Sequence, residues 1–403
     1  MAFLTPTIKI PSFIGVKLDD LFALSWFFVL LVLFKIREIK ELIITTRLIY
    51  LLAFFIVLPL SISSGALIQL PTSLLDYTKF LWLIKITIVY LIFSNYIHTG
   101  NIADTPKKRD EILKHIVVAG FVSSLICFQQ YFDLFSLNAI YTPIISPTQH
   151  FTLMPGYSSP RVIGMIGNPN AQGYALAVAL LCAFYLTLSK QKSISILVPV
   201  CIFVALIMTL SRTALIIAFI GMATLTFLYS RGVVFTLYKI VLSTFLIALL
   251  VLLYVFLKDN EVIYKLVIFR LESLGSGVEE NSFVARFHSW KVNYEYFLKS
   301  PYFGVGPLPR AEIFEAADNE WLLILRTYGL VGLIWFLLFL FHPIVQYKPS
   351  NNYQKNFRAF ILSFCALTMF YMIPAAAFSN VALAPYIMMI LALLDKPTAI
   401  LKR

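Results

Sequence analysis

Three arginines stand where apolar runs of the chain break, and an arginine in such a place suggests anion chemistry. Arg212, in LSRTAL, is the only Asp, Glu, Lys or Arg between Lys192 and Arg231. Two hydrophobic runs meet there, so its guanidinium lies at a membrane surface or slightly inside it. An arginine at mid-membrane costs about 3 kcal/mol on insertion scales, and less at the interface. The bland reading is a turn residue that snorkels to lipid headgroups. The chemical reading is an anion ligand facing the bundle interior, because the planar fork grips phosphate oxygens in two places and never loses its proton. Arg161 opens RVIGMIGNPNAQGYALAV. Asn168-Pro169 starts a turn there, and Asn170 is expected to cap the helix that follows. The free N–H groups of that helix end, close to Arg161, make a natural anion site, although an ordinary capped span would look the same.

The third arginine belongs to residues 279–332, the segment richest in charge, aromatics and turn residues outside the apolar runs. Within SFVARFHSWKVNYEYF, apolar residues recur at Phe283, Phe287, Trp290, Tyr294 and Phe297, a 4,3,4,3 spacing. That pattern predicts an amphipathic helix lying along the membrane surface. Arg286 falls beside the stripe, one turn before Trp290, within reach of a headgroup-level ligand; a solvated surface charge is the alternative. The glycines of YFGVGP suit a tight turn that brings backbone close to a ligand or a neighbouring helix. Asp318-Asn319 is expected to cap the helix starting near Glu320. A carboxylate beside arginines also suits a base that takes a proton from an attacking hydroxyl. His288 is the other titratable candidate, and a lone histidine in a polar stretch is more often incidental.

The elements that must position these residues are membrane spans. The chain has 403 residues, 60% hydrophobic and 13% charged, where a soluble domain averages about 25% charged. With repeated apolar runs of helical length, this predicts an all-α polytopic membrane protein. Judged against the roughly 20 apolar residues a bilayer needs, about eleven spans emerge (10–12). Their limits are 19–35, 48–66, 78–97, 115–132, 166–189, 194–210, 213–230, 235–257, 320–341, 358–374 and 379–394. Residues 8–16 add a partial or interfacial helix. The reading is one membrane domain, 1–403, with extramembrane loops at 133–165 and 258–319. No cleaved signal peptide is apparent, since no basic n-region precedes an apolar core and small-residue cleavage site. Cys127, Cys182, Cys201 and Cys365 fall inside apolar runs without metal spacing and read as buried thiols.

The net charge of +12 does not indicate nucleic acid, because the basic residues occupy short inter-helix connections rather than one patch. Lys35, Arg37, Lys40 and Arg47; Lys107, Lys108, Arg109 and Lys114; Lys190 and Lys192; and Lys348, Lys355 and Arg358 alternate so as to share one side, with Lys396, Lys402 and Arg403. By the positive-inside rule that side is cytoplasmic. The two long loops, and the candidate chemistry, then face outward. There is no phosphate-binding GxxxxGK[ST] loop and no Asp-x-Asp metal pair. A reaction on the outer face would be driven by its substrate, such as a lipid-linked donor with a good leaving group.

In their order, RVIGMIGNPNAQGYAL at 161–176, LSRTAL at 210–215, ARFHSW at 285–290, SPYFGVGP at 300–307 and ADNEWLLILRTYGLVGL at 317–333 resemble the O-antigen ligase and O-antigen polymerase (Wzy-type) superfamily of membrane glycosyltransferases. The likeness covers roughly the C-terminal half. It implies a GT-C-like helical fold in the bacterial inner membrane with its active site facing the periplasm. It also implies an inverting, metal-independent, hexosyltransferase-type reaction without cofactors. Donor and acceptor would be undecaprenyl-pyrophosphate-linked oligosaccharides, with membrane lipids and a chain-length regulator protein as further partners. Arg212 and Arg286 correspond to the arginines expected on the donor pyrophosphate, and Arg161 to a further basic position of polymerases; Asn170 joins this set. Ligases carry a histidine directly before the asparagine that opens the ninth helix. This chain has Asp318 there, which favours a polymerase and makes Asp318 the candidate base, with Glu320 and Glu315 as rivals. The alternatives are a ligase moving glycan to lipid A core or protein, and a transporter or flippase of a lipid-linked anion. The glycan-specific surface is assigned to the loop 133–159.

Overall fold

The structure, a computed structural model, describes residues 7–8, 16–17, 41–70, 74–98, 104–154, 160–189, 195–229, 281–307 and 318–402. The expected spans 19–35 and 235–257, the N-terminal segment 9–15 and Glu315 lie outside the described residues. The rest is mainly helical: α1 Thr46–Leu67, α2 Thr78–His98, α3 Thr105–Phe132, α4 Asn138–Ile145, α5 Pro169–Leu188, α6 Leu197–Met208, α7 Arg212–Leu228, α8 Asn281–Lys299, α9 Glu320–Gln346, α10 Asn352–Tyr371 and α11 Leu383–Ala392. Five of them, α1, α2, α3, α5 and α9, are long and apolar enough to cross a membrane. Two short antiparallel ribbons depart from the all-helical expectation. β1 Thr7–Ile8 pairs with β2 Val16–Lys17, and β3 Glu41–Thr45 pairs with β4 Pro397–Lys402.

The chain divides into two compact units. One comprises Met1–Ala119, Ala285–Lys348 and Cys365–Arg403; the other comprises Gly120–Val284 and Pro349–Phe364.

In the second unit α5 is buried along nearly its whole length, as a helix apolar on every side must be. Small residues let its neighbours come close. A side-chain carbon at Gly173 would lie 2.5 Å from the Ala214 methyl of α7, and one at Gly120 would strike Ala179. Such small-residue contacts are the usual way apolar helices pack without a hydrophobic driving force between them. Cys127, Cys182 and Cys365 are buried thiols, as expected, and Cys201 is half-buried.

In the first unit α9 packs against α1, and α11 against α2. Helix α9 is broken at Gly329, whose φ of 65° and ψ of −164° no helix contains. The break abolishes the bonds that Leu330 and Val331 would make to the carbonyls four residues earlier. Those four groups are satisfied by the segment Pro301–Gly306 instead. Val305 N–H donates to Arg326 O at 2.8 Å and Gly306 N–H to Thr327 O at 3.1 Å. Leu330 N–H donates to Pro301 O at 2.8 Å and Val331 N–H to Tyr302 O at 3.1 Å. Ser61 of α1 adds a hydroxyl bond to Thr327 O. This is how a broken span keeps its backbone paired away from water. Gly304 and Gly306 turn the segment with φ of 73° and 83°, so the glycines bring backbone to a neighbouring helix, the second of the two roles their sequence allowed. Gly329→Ala is expected to destabilise the protein by at least about 1–3 kcal/mol from backbone strain, since its methyl also meets Tyr302 O. A denaturant titration in detergent reads this; wild-type stability would mean the break is not obligatory.

Candidate active site

The second unit joins two helix N-termini through Arg161. Asn168 caps α5, its Oδ1 accepting from Asn170 N at 2.9 Å and Ala171 N at 3.1 Å. The expected cap was Asn170. Pro169 takes the first helical position, where its fixed φ suits it, and the cap therefore falls two residues earlier. Asn170 is left free to bridge, and its Oδ1 accepts from Arg161 Nη2 at 2.7 Å and from Ser211 Oγ at 3.0 Å. Ser211 is itself the cap of α7, accepting from Ala214 N at 3.3 Å. Arg161 Nε completes the link by donating to Thr209 O at 3.0 Å. The residue between cap and turn, Leu210, is forced to φ 49°, a left-handed conformation that costs a bulky side chain.

Arg212 is the first residue of α7 and is half-buried. A cation there faces the positive end of its own helix, which costs about 0.3–1 kcal/mol. Arg161 is also half-buried and bonded across the cap residues of both helices. Two cations and two sets of helix-end N–H groups suit one ligand class, a phosphate-bearing anion.

The segment that holds Arg161 is fixed from α3. The buried Gln130 accepts from Ile163 N at 3.1 Å and Gly164 N at 2.8 Å, and donates to Gly164 O at 3.1 Å. Gln130 and Ser211 were not singled out from the sequence; neither glutamine nor serine stands out in an apolar run.

In the first unit α8 is the predicted amphipathic helix. Phe287 and Tyr294 of its aromatic stripe are exposed, and its protein-facing side carries the buried Ser289 and Asn293. Arg286 lies three and seven positions before them, so it shares that side. Asn293 Oδ1 accepts from Arg326 Nη1 at 2.8 Å, which fastens α8 to the turn before the break in α9. Arg326, buried, is the only Asp, Glu, Lys or Arg between Glu320 and Lys348. The isolation that drew notice to Arg212 marks Arg326 equally.

Arg286 Nε stands 3.8 Å from Asp318 Oδ2, a loose pair of small energetic weight at the surface. Of the expected pair Asp318-Asn319, it is Asn319 that caps α9, accepting from Leu322 N at 3.1 Å. Asp318 is thus released from structural duty, with its side chain 56% exposed. Its rival Glu320 is buried and spoken for. Its carboxylate accepts from Ala377 N at 2.7 Å, Ser379 N at 3.2 Å and Ser379 Oγ at 2.6 Å, pinning the turn before α11. His288 is exposed.

Long apolar helices whose polar residues gather at capped ends define a multi-pass membrane protein. Residues 197–337 match the family model described as O-antigen ligase. That segment is similar to the O-antigen ligase family, and the match supports a membrane enzyme of the ligase and polymerase type acting on lipid-linked glycans. No curated protein matches the sequence.

Proposed function

We propose that the protein is a polysaccharide polymerase of the periplasmic face of the inner membrane. It transfers an undecaprenyl-pyrophosphate-linked glycan onto a second lipid-linked repeat unit. The observation that carries this is the Arg161–Asn170–Ser211 link between the capped ends of α5 and α7, with Arg212 opening α7. Arg161 and Arg212 bind the donor pyrophosphate, and Arg286 is assigned to phosphate on the resemblance. As the glycosidic bond breaks, its electron pair goes to the pyrophosphate. Preset guanidinium and N–H groups stabilise that charge without reorganising. A sugar hydroxyl of the acceptor attacks the anomeric carbon from the opposite face and inverts it, and Asp318 takes the hydroxyl proton.

A ligase is the second reading, favoured by the description of the matching family; Asp318 in place of the ligases' histidine weighs against it. Transport draws on the break in α9, but the freed groups of that break are occupied by the segment Pro301–Gly306 rather than left for an ion. Purified protein supplied with lipid-linked repeat units should lengthen the glycan on the lipid. Glycan appearing on added lipid A core instead would assign the ligase.

Asp318→Asn and Asp318→Ala are each expected to lower extension by about 10²–10⁴-fold, the usual worth of a general base. Both should leave stability within about 0.5 kcal/mol, because Asn319 keeps the cap. Full turnover in the asparagine variant would remove Asp318 from the chemistry.

A further inference from the structure

Residues 134–160 contain no Asp, Glu, Lys or Arg, an unusual composition for a loop in water, where charged side chains ordinarily sit. The described part is built inside out. On α4 the polar Asn138 and Thr142, four apart, are buried, while Ile140 and Ile144, also four apart, are 67% and 58% exposed. Asn138 Nδ2 donates to Gln130 O at 2.7 Å, and the Tyr141 hydroxyl to Gln129 Oε1 at 2.5 Å. The polar side is therefore the protein-facing one. Just ahead, Asp133, Phe135 and Ser136 all take positive φ, at 45°, 62° and 54°. Such backbone is costly, most of all for a bulky side chain. It is held by Asp133, whose carbonyl accepts from Ser136 N at 3.0 Å and whose Oδ1 accepts from Asn138 N at 3.0 Å. The result is a Phe135 side chain 90% exposed beside exposed Leu134 and Leu137.

We propose that residues 134–153 are an interfacial foot whose partner is the lipid bilayer, with Phe135, Ile140, Ile144 and Phe151 seated at the boundary of headgroups and acyl chains. Lipid is the occupant that fits, because this apolar surface continues directly from α3, itself long and apolar enough to cross a membrane. An apolar side turned outward and a polar side turned inward is what a helix needs when its solvent is hydrocarbon. The foot is tied to the candidate site. Thr152 Oγ1 donates to Arg161 O at 3.0 Å, and Arg161 N donates to Thr152 O at 3.4 Å. Its seating therefore sets the depth of Arg161 relative to the headgroups. The assignment replaces glycan selection as the role of this stretch, and it stands whether or not the protein is a polymerase.

The test uses the full chain in nanodiscs of phosphatidylethanolamine and phosphatidylglycerol, with p-benzoylphenylalanine in place of Phe135 or, separately, Ile140. Irradiation should add one phospholipid mass to the intact chain at both positions, and none with the photoprobe at Lys355, an exposed residue before the midpoint of α10. A crosslink between two chains would assign the face to a second copy and overturn the proposal. Adducts no more frequent than at Lys355 would overturn it too. Hydroxyl-radical labelling of the unsubstituted protein guards against a folding defect in the variants. Phe135 should be protected in nanodiscs, and strong oxidation there would sink the proposal as surely.

Discussion

Arg212→Ala is expected to cut chain extension by about 10²–10³-fold, the usual loss when one preset donor to a developing anion is removed. Stability is the second readout. Arg212 is the first residue of α7, so its charge opposes the helix dipole by about 0.3–1 kcal/mol, and alanine relieves that. The two readouts together separate ligand from anchor: a residue that merely orients the helix would lose insertion or stability with its charge. Arg212→Lys sharpens the test. Lysine preserves the charge but presents a single ammonium in place of a two-pronged fork. Near-wild-type extension in the lysine variant would end the phosphate assignment. Arg161→Lys tests the link between the helix ends, because Arg161 bonds Thr209 O and Asn170 Oδ1. Its loss should cost stability as well as turnover.

What the sequence disclosed depends on which physical effect wrote it there. Apolar runs of bilayer length gave α1, α2, α5, α7 and α9 to within a few residues, because lipid constrains length and composition together. Residues 78–97 and α2 Thr78–His98 nearly coincide. The 4,3,4,3 aromatic spacing gave α8. Caps were located only to short runs: at Asn168-Pro169-Asn170 and Asp318-Asn319 two side chains with the same capping chemistry compete, and local backbone geometry chooses. That choice leaves Asn170 to join Arg161 to Ser211 and leaves Asp318 outside the cap. The break at Gly329 was not anticipated. Its glycine reads like any small residue in a span, and the groups that replace its lost bonds lie more than twenty positions upstream in Pro301–Gly306. Long-range polar links such as Gln130 to Gly164 leave no local pattern either. Arg326, alone in its apolar run, carries the same signal as Arg212 and was legible on the same grounds.

The other large effect belongs to Arg47, a residue whose position suggested only orientation in the membrane. It is fully buried, as is Asp395 almost completely. Arg47 Nε reaches both carboxylate oxygens of Asp395, at 3.1 and 2.9 Å, and Nη1 donates to Phe339 O at 3.0 Å. Tyr90 donates its hydroxyl to the same carboxylate and meets Thr45 Oγ1 at 2.5 Å. Thr45 in turn caps α1 through Leu48 N. One ion pair thus ties α1, α2, α9 and the segment after α11, closing a sequence separation of 348 residues. Arg47→Ala would strand a carboxylate away from water, and removing one partner of a buried pair costs about 3–5 kcal/mol. Asp395→Asn should cost a similar amount by stranding the guanidinium. Replacing both, as Arg47→Met with Asp395→Leu, should recover most of the loss, because desolvating the pair was itself expensive. A denaturant titration of the folded fraction reads all three variants. If the double variant were as unstable as the sum of the singles, the geometry of the pair and not its stranded charge would be what holds these helices together. The hydrogen bonds of Arg47 run to Asp395, Phe339 and Leu340, which are not candidate site residues, so glycan extension per folded molecule should not change.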